Sequence, residues 1–187
     1  MKELVIIAGP NGSGKSTLAS QIGLKYKFIS ADDCEREFLS HITDKDERER
    51  RATLAVAKEI QVSVSAGKSF AFETVFSTTQ VPEFIKQAKL NGYGIILHYI
   101  ATDSTDINIA RVAKRVSEGG HDVPEQRIVE RYSKSLQILP ELLDFADKAI
   151  LYDNSEETLR AFLVKEENEI KITGALPQWA RQALLLY

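Results

Sequence analysis

The chain begins MKELVIIAGPNGSGKST, where a short β-branched run stops at Gly9 and four residues later meets Gly14-Lys15-Ser16. An apolar run ending at glycine reads as a buried strand, and KSTLASQIGL after it reads as a helix. The spacing G-x-x-x-x-G-K-[ST] between a strand and a helix is that of a phosphate-binding loop. Its glycines let successive backbone N–H groups turn inward around a β-phosphate. Lys15 reaches the β- and γ-phosphates, and the Ser16 hydroxyl suits a magnesium ion. Gly9, Pro10, Asn11, Gly12, Ser13, Gly14, Lys15, Ser16 and Thr17 are therefore the expected nucleotide-binding residues, with Ser16 as the metal ligand. Such a loop requires a parallel sheet whose strand ends share one edge.

The remaining pattern agrees. YKFIS, SFAFET, GIILHYIA and ADKAILYD read as four further strands, separated by helical stretches. Alternating strands and helices predict an α/β fold with a five-stranded, mainly parallel sheet covered on both faces. Asp44 and Glu47 have capping-box spacing ahead of a long helix, whose face carries Ala52, Val56 and Ile60 and which Gly67 stops. Helices are also expected near Gln80–Leu90, with Pro82 in the first turn, over Asp106–Ser117, and from Pro124 to Leu139. AFLVKEENEIKIT reads as a small hairpin, and the apolar tail LPQWARQALLLY as a cover for the same core. At 187 residues, one P-loop domain is expected, with a C-terminal extension from about 157 to 187.

A net charge of -3 argues against a general nucleic-acid binder. One cysteine, Cys34, allows no internal disulfide. No apolar run reaches membrane-spanning length, and the first strand is too short for a signal peptide, so a cytoplasmic protein is expected with no membrane partner.

A phosphate loop alone does not say what happens to the phosphate. Neither an aspartate followed three residues later by glycine in a switch setting nor an N-K-x-D base-recognition segment occurs, which argues against a regulatory GTPase. Three strand ends offer chemistry for a transfer reaction. Asp32 and Asp33 follow the second strand, Glu73 and Thr74 the third, and Asp103 the fourth. Phosphoryl transfer needs a carboxylate to hold and deprotonate the acceptor hydroxyl, and a second group to orient it or the metal. Asp32 or Asp33 suits the first task and Glu73 the second. Helix capping is the plainer reading of both aspartates, and of Asp103.

The stretch KRVSEGGHDVPEQRIVERY is unusual for a surface loop. Gly119, Gly120 and His121 are flanked by Arg111 and Arg115 before them and by Arg127 and Arg131 after them. Ile109, Val112 and Val116 form one apolar face, and Ile128, Tyr132, Leu136 and Leu139 another. Asp122 and Glu125 have capping-box spacing, and Pro124 suits a first turn. A helical hairpin over about 111–134 is expected, with a bendable tip. As a lid it would carry guanidinium groups to a triphosphate and exclude water. The plainer alternative is a solvated helical pair. No histidine or cysteine spacing supports a zinc site.

Together, IIAGPNGSGKST, an aspartate closing strand two, FETVFST, RVAKRVSEGGHDVPEQRIVERYSKSL and LYDNS resemble the compact bacterial zeta-toxin-like P-loop kinases over roughly Leu4 to Asn154. The G-G-H-x-V-P stretch running into R-Y-x-x-S-L is the specific part of that resemblance. It implies an ATP- and magnesium-dependent kinase of a small-molecule hydroxyl. In the best-studied zeta toxins the acceptor is the sugar 3'-hydroxyl of UDP-N-acetylglucosamine, and an antitoxin protein restrains the enzyme. Carried over, Lys15 and Ser16 handle phosphate and magnesium, and Asp32 resembles the acceptor base. Glu73 resembles the acidic residue ending strand three, used in substrate or metal handling; beside the resemblance, Asp33, Thr74 and His121 are further candidate substrate-binding residues. Arg115 and one of Arg127 or Arg131 resemble the lid arginines, and Arg111 joins them as a nucleotide contact. The spacing of these arginines departs from that of the toxins, and no insertion large enough to enclose a nucleotide sugar is visible. Because the chain starts directly at its first strand, no fused antitoxin-like domain is expected. The competing functions are a P-loop ATPase or nucleotide-dependent regulatory module, and a non-catalytic binding module.

Overall fold

A computed structural model describes residues 1–76 and 80–184, and the side chains of Lys45 and of residues 80–82 lie outside that description. Ser77 and Thr78 of the FETVFST stretch, the Pro82 ring and the terminal residues 185–187 accordingly fall outside the described residues.

In chain order the elements are β1 (Lys2–Ala8), α1 (Lys15–Gln21), β2 (Lys27–Ile29), α2 (Ala31–Phe38), α3 (Lys45–Ser65), β3 (Phe70–Thr74), α4 (Gln80–Leu90) and β4 (Tyr93–Ala101). They continue with α5 (Thr105–Ser117), α6 (Glu125–Phe145), β5 (Lys148–Asp153), β6 (Arg160–Glu166), β7 (Glu169–Ile172) and α7 (Gln178–Leu184). All seven strands join one sheet in the order β2-β3-β1-β4-β5-β6-β7. β1 through β5 pair in parallel, and β6 and β7 add on antiparallel. This is an α/β architecture, with β1 inside the sheet between β3 and β4 and its loop at the carboxyl edge.

β1 shows why an unbroken apolar run is required there. Leu4, Ile6 and Ala8 enter the main core on one face, while Ile7 joins Leu18, Ala19 and Ile100 on the other. A strand covered on both faces has no solvent side to alternate toward.

Four elements differ from expectation. The hairpin joins the sheet itself: β6 pairs with β5, so the sheet has seven strands instead of five. Phe162 and Leu163 are fully buried. Lys165 lays its stem along the sheet and donates to the carbonyls of Leu143 and Ala146 at the end of α6. Secondly, α2 was not foreseen. Ser30 caps it, accepting from the Asp33 N–H at 3.4 Å, and Glu35 is its only buried residue, so no apolar period announces it. Thirdly, α6 begins at Glu125 with Pro124 as its cap residue and runs through Pro140 to Phe145. Proline inside a helix costs about 3 kcal/mol. Burial of Leu142 and Leu143 contributes about 1.5–3 kcal/mol each, which is enough to carry the helix on. Lastly, the Asp44 box forms by half. Asp44 accepts from the Glu47 N–H at 3.0 Å, but the Glu47 carboxylate turns to Arg50 and Arg51.

The α5–α6 pair stands on a small core of its own, with Val112, Val123 and Ile128 buried and Ile109 packed against them. α6 ties the pair to the sheet: Tyr132, Leu136 and Leu139 join the main core, and Tyr132 donates to the Thr102 carbonyl at 2.6 Å.

Candidate active site

The loop after β1 wraps the start of α1. Gly14, the helix cap, sits at φ 103°, and a Cβ there would fall 2.6 Å from Asn154 Nδ2. Only glycine meets both conditions. Asn154, following β5, in turn donates to the Ser13 carbonyl at 2.8 Å, and Asn108 of α5 donates to the Asn11 carbonyl. The loop is therefore braced from the β5 side.

Lys15 is 6% exposed; its Nζ donates to the Pro10 carbonyl at 3.0 Å and lies 3.7 Å from Glu73 Oε1. Burial lowers the pKa of this lysine, opposed by the charges of Glu73 and Asp32. Ser16 Oγ donates to Glu73 Oε2 at 3.0 Å. The adjacent register of β1 and β3, which pairs Ile7 with Glu73 and Ala8 with Thr74, sets the Glu73 carboxylate beside the loop.

A cleft of about 840 Å³ opens from this point. Of the residues expected from sequence, Asn11, Gly12, Gly14, Lys15, Ser16, Thr17, Asp32, Glu73 and Thr74 line it, as do Arg111, Arg115, His121 and Arg131. Asp33 lines an adjoining recess of about 440 Å³ and pairs with Arg36 along α2. Gly9, Pro10 and Ser13 stand behind the lining. Arg127 turns away, to Glu49 at 2.9 Å and Asp46 at 3.8 Å on α3. Asp103 holds the tail: its carboxylate accepts from the Trp179 N–H at 3.1 Å, while Ser104 caps α5.

The lid meets the body through polar side chains. Arg115 Nη1 lies 3.8 Å from Asp32 Oδ2, and His121 Nδ1 3.4 Å from Glu35 Oε2, an oxygen it shares with Arg48. Arg131 donates to Glu49 at 3.0 Å and to Asn11 Oδ1 at 3.4 Å. Burial resists the charge on Glu49, but the hydrogen bonds and charges of Arg131 and Arg127 prevail and hold its carboxyl below the usual range. Arg111 Nη1 and Arg115 Nε and Nη2 are buried without a hydrogen-bond partner. Orphaned charged donors are costly, and an anion in the cleft would remove the cost.

The paired glycines have a structural job. Gly119, at φ 84°, bonds back to Val116, and the Gly120 N–H reaches the Arg115 carbonyl at 2.9 Å, which ends α5. A Cβ on Gly120 would lie 2.5 Å from Arg115 Cγ, so this glycine makes room for the Arg115 stem.

Residues 4–137 match the AAA domain family. The chain belongs to that family. This AAA domain is 28% identical over 134 residues to an uncharacterized protein of Haemophilus influenzae, covering 68% of the chain and 91% of the relative. Among solved structures it resembles a chain of the PezAT chromosomal toxin–antitoxin system of Streptococcus pneumoniae, with a TM-score of 0.69 and 18% identity over 99% of this chain and 84% of that one. AvrRxo1-ORF1:-ORF2 with ATP gives a TM-score of 0.73 at 14% identity, over 92% of this chain and 61% of that chain. At such identities the likeness is one of fold. At 99% of this chain, the likeness to the PezAT structure extends past the AAA domain match into the hairpin and α7.

Sequence reasoning missed Glu35, Arg48, Glu49 and Asn108 of this AAA domain. Glu49 lies in DKDERERR, which reads as a solvated charge run and carries no sign that one carboxylate faces the lid. Asn154 was legible only as part of LYDNS, at a strand end where ligands gather. Among the described residues no helix is long and apolar enough to cross a membrane, and no cluster of three metal-ligating side chains occurs.

Proposed function

We propose that the chain is an ATP-dependent phosphotransferase that moves the γ-phosphoryl group to a hydroxyl of a small molecule. The observation that carries this reading is the set of buried, unpartnered guanidinium nitrogens of Arg111 and Arg115 over the phosphate loop, with Asp32 3.8 Å from Arg115. A loop that only held nucleotide would not need an acid and arginines converging from outside it.

In this reading the loop amides and Lys15 hold the β- and γ-phosphates, and Lys15 leaves Pro10 and Glu73 to do so. Asp32 accepts the proton of the acceptor hydroxyl. The acceptor oxygen forms its bond to the γ-phosphorus as the bond to the β-bridging oxygen breaks, and that oxygen leaves with the electron pair as ADP. Arg115, Arg111 and Arg131 stabilise the charge spread over the moving group, and the lid keeps water from competing. Ser16 and Glu73 offer hard oxygen donors side by side, which fits magnesium. When bound, magnesium would neutralise charge on the triphosphate. Asp33 and Arg127 stand apart from this chemistry.

The zeta-toxin resemblance implies the sugar of UDP-N-acetylglucosamine as acceptor and an antitoxin as partner; the fold likeness to a chain of the PezAT toxin–antitoxin system supports looking for the partner. Incubation with ATP, magnesium and a panel of nucleotide sugars and small alcohols, read by mass for added phosphate, tests the reading. Acceptor-dependent ADP release is expected. Hydrolysis indifferent to every acceptor would favour an ATPase or regulatory module, and binding without turnover a binding module.

A further inference from the structure

The cleft has two unlike halves. β1 carries the phosphate loop between β4 on one side and β3 on the other. Toward β4 and β5 the lining is polar, with Gly12, Arg111 and Asn154. Toward β3, beyond Glu73, it turns apolar: Val56, Ala57 and Ile60 from α3 face Phe72 and Phe84. The two rings meet edge to face with centroids 5.9 Å apart. Val56, Ile60 and Phe84 touch the main core yet stay only partly buried, and Ala57 is exposed, so α3 leaves part of its apolar stripe open to the cleft. Asp32, which follows β2 beyond β3 in the sheet order, lines the same cleft and belongs to this half.

A polar triphosphate has no use for such a wall, and a polyhydroxylated acceptor would lose hydrogen bonds to water against it. We infer that the acceptor is a small alcohol with an aromatic or branched aliphatic body, seated on Val56, Ala57, Ile60, Phe72 and Phe84 with its hydroxyl toward Asp32. This acceptor class presupposes the phosphotransferase reading and departs from the nucleotide sugar that the family resemblance implies. The Asn154 half is left to the nucleoside. At about 840 Å³ the cleft falls within the range of small-ligand sites.

The test compares kcat/KM, with ATP and magnesium, for 2-phenylethanol and 3-methylbutan-1-ol against glycerol, glucose and UDP-N-acetylglucosamine. Each well-seated methylene is worth roughly tenfold or more, so the apolar alcohols should lead by at least that factor. Ala57→Asp changes an exposed wall position without disturbing the core and should raise the KM for 2-phenylethanol about tenfold, with the KM for ATP within about twofold. Val56→Thr, close in shape, should move the same way. Equal or better use of glycerol, glucose or the nucleotide sugar overturns the inference, as does an unchanged acceptor KM in Ala57→Asp. A rise in the KM for ATP instead would assign the wall to the nucleobase and equally overturn it. Saturation-transfer NMR of 2-phenylethanol with a non-hydrolysable ATP analogue separates the two readings. Binding that Ala57→Asp abolishes, without transfer to any alcohol, upholds the apolar wall and refutes the kinase. Absence of binding in the parent refutes the wall itself.

Discussion

Glu49 is one of the carboxylates on which the lid rests, and its removal has a calculable consequence. It accepts from Arg127 at 2.9 Å and from Arg131 at 3.0 Å, and it is 28% exposed. Hydrogen bonds to charged groups contribute about 1.5–3 kcal/mol each when buried, and exposed ion pairs about 0.2–1 kcal/mol. With more than a quarter of the side chain in water, two such bonds together should stabilise by about 1–2 kcal/mol. Glu49→Gln keeps the shape and removes the charge. For a chain of this length the change corresponds to a fall in Tm of roughly 2–8 °C at pH 7. The pH dependence follows from the direction of the shift. The folded protein holds the Glu49 carboxyl below its unfolded value, despite the opposing effect of burial, because Arg131 and Arg127 favour the charged form. Its contribution is therefore fully present above the unfolded pKa of about 4.3 and is lost as pH falls through the lower folded value. Urea unfolding of parent and variant at pH 7 and at successive values below pH 4.5 should show two curves that converge on acidification. Equal stability at pH 7, or a gap that persists in acid, would refute the role given to Glu49.

Lys15→Ala should lose most ATP affinity or turnover in calorimetric and product assays, because it removes the buried ammonium beside the phosphates. Asp32→Asn should keep nucleotide affinity within a few-fold and lower transfer by roughly 100-fold or more; a large loss of ATP affinity would make Asp32 a metal-positioning residue. Arg115→Ala should lower turnover by about 100-fold with much less effect on resting ATP binding, and Arg115→Lys should rescue only part of it, since the forked donors are gone. Gly120→Ala should leave ATP affinity intact yet cost turnover by up to roughly 100-fold, because a Cβ 2.5 Å from Arg115 Cγ pushes that side chain off its position. Parent-like turnover in Gly120→Ala would reduce the glycine to a helix stop.

How far the sequence could be read depended on where apolar pattern and chemistry coincide. β1, the phosphate loop and α1 were legible because a doubly buried strand must be continuously apolar and the loop must spare its glycines side chains. The lid pair was legible because Ile109, Val112 and Ile128 repeat with the helical period. α2 was not, since its one buried residue is Glu35, a polar partner of His121 and Arg48. The extent of α6 was hidden by Pro140, whose local cost is outweighed by leucines that only the folded core reveals. Gly119 and Gly120 read as a flexible tip, yet they end α5 and Gly120 makes room for Arg115, a contact that exists only once the helix has formed. Residues such as Glu49 and Asn154 act across the cleft, and long-range pairing of single polar side chains leaves no period in a sequence.

The most direct measurement follows γ-labelled ATP with magnesium in the presence and absence of a hydroxyl acceptor, with the parent chain and Asp32→Asn side by side. Phosphotransfer predicts label on the acceptor, ADP release that rises with acceptor concentration, and loss of both in Asp32→Asn while ATP still binds. Label released only as inorganic phosphate, at a rate indifferent to acceptor and to Asp32, would contradict it.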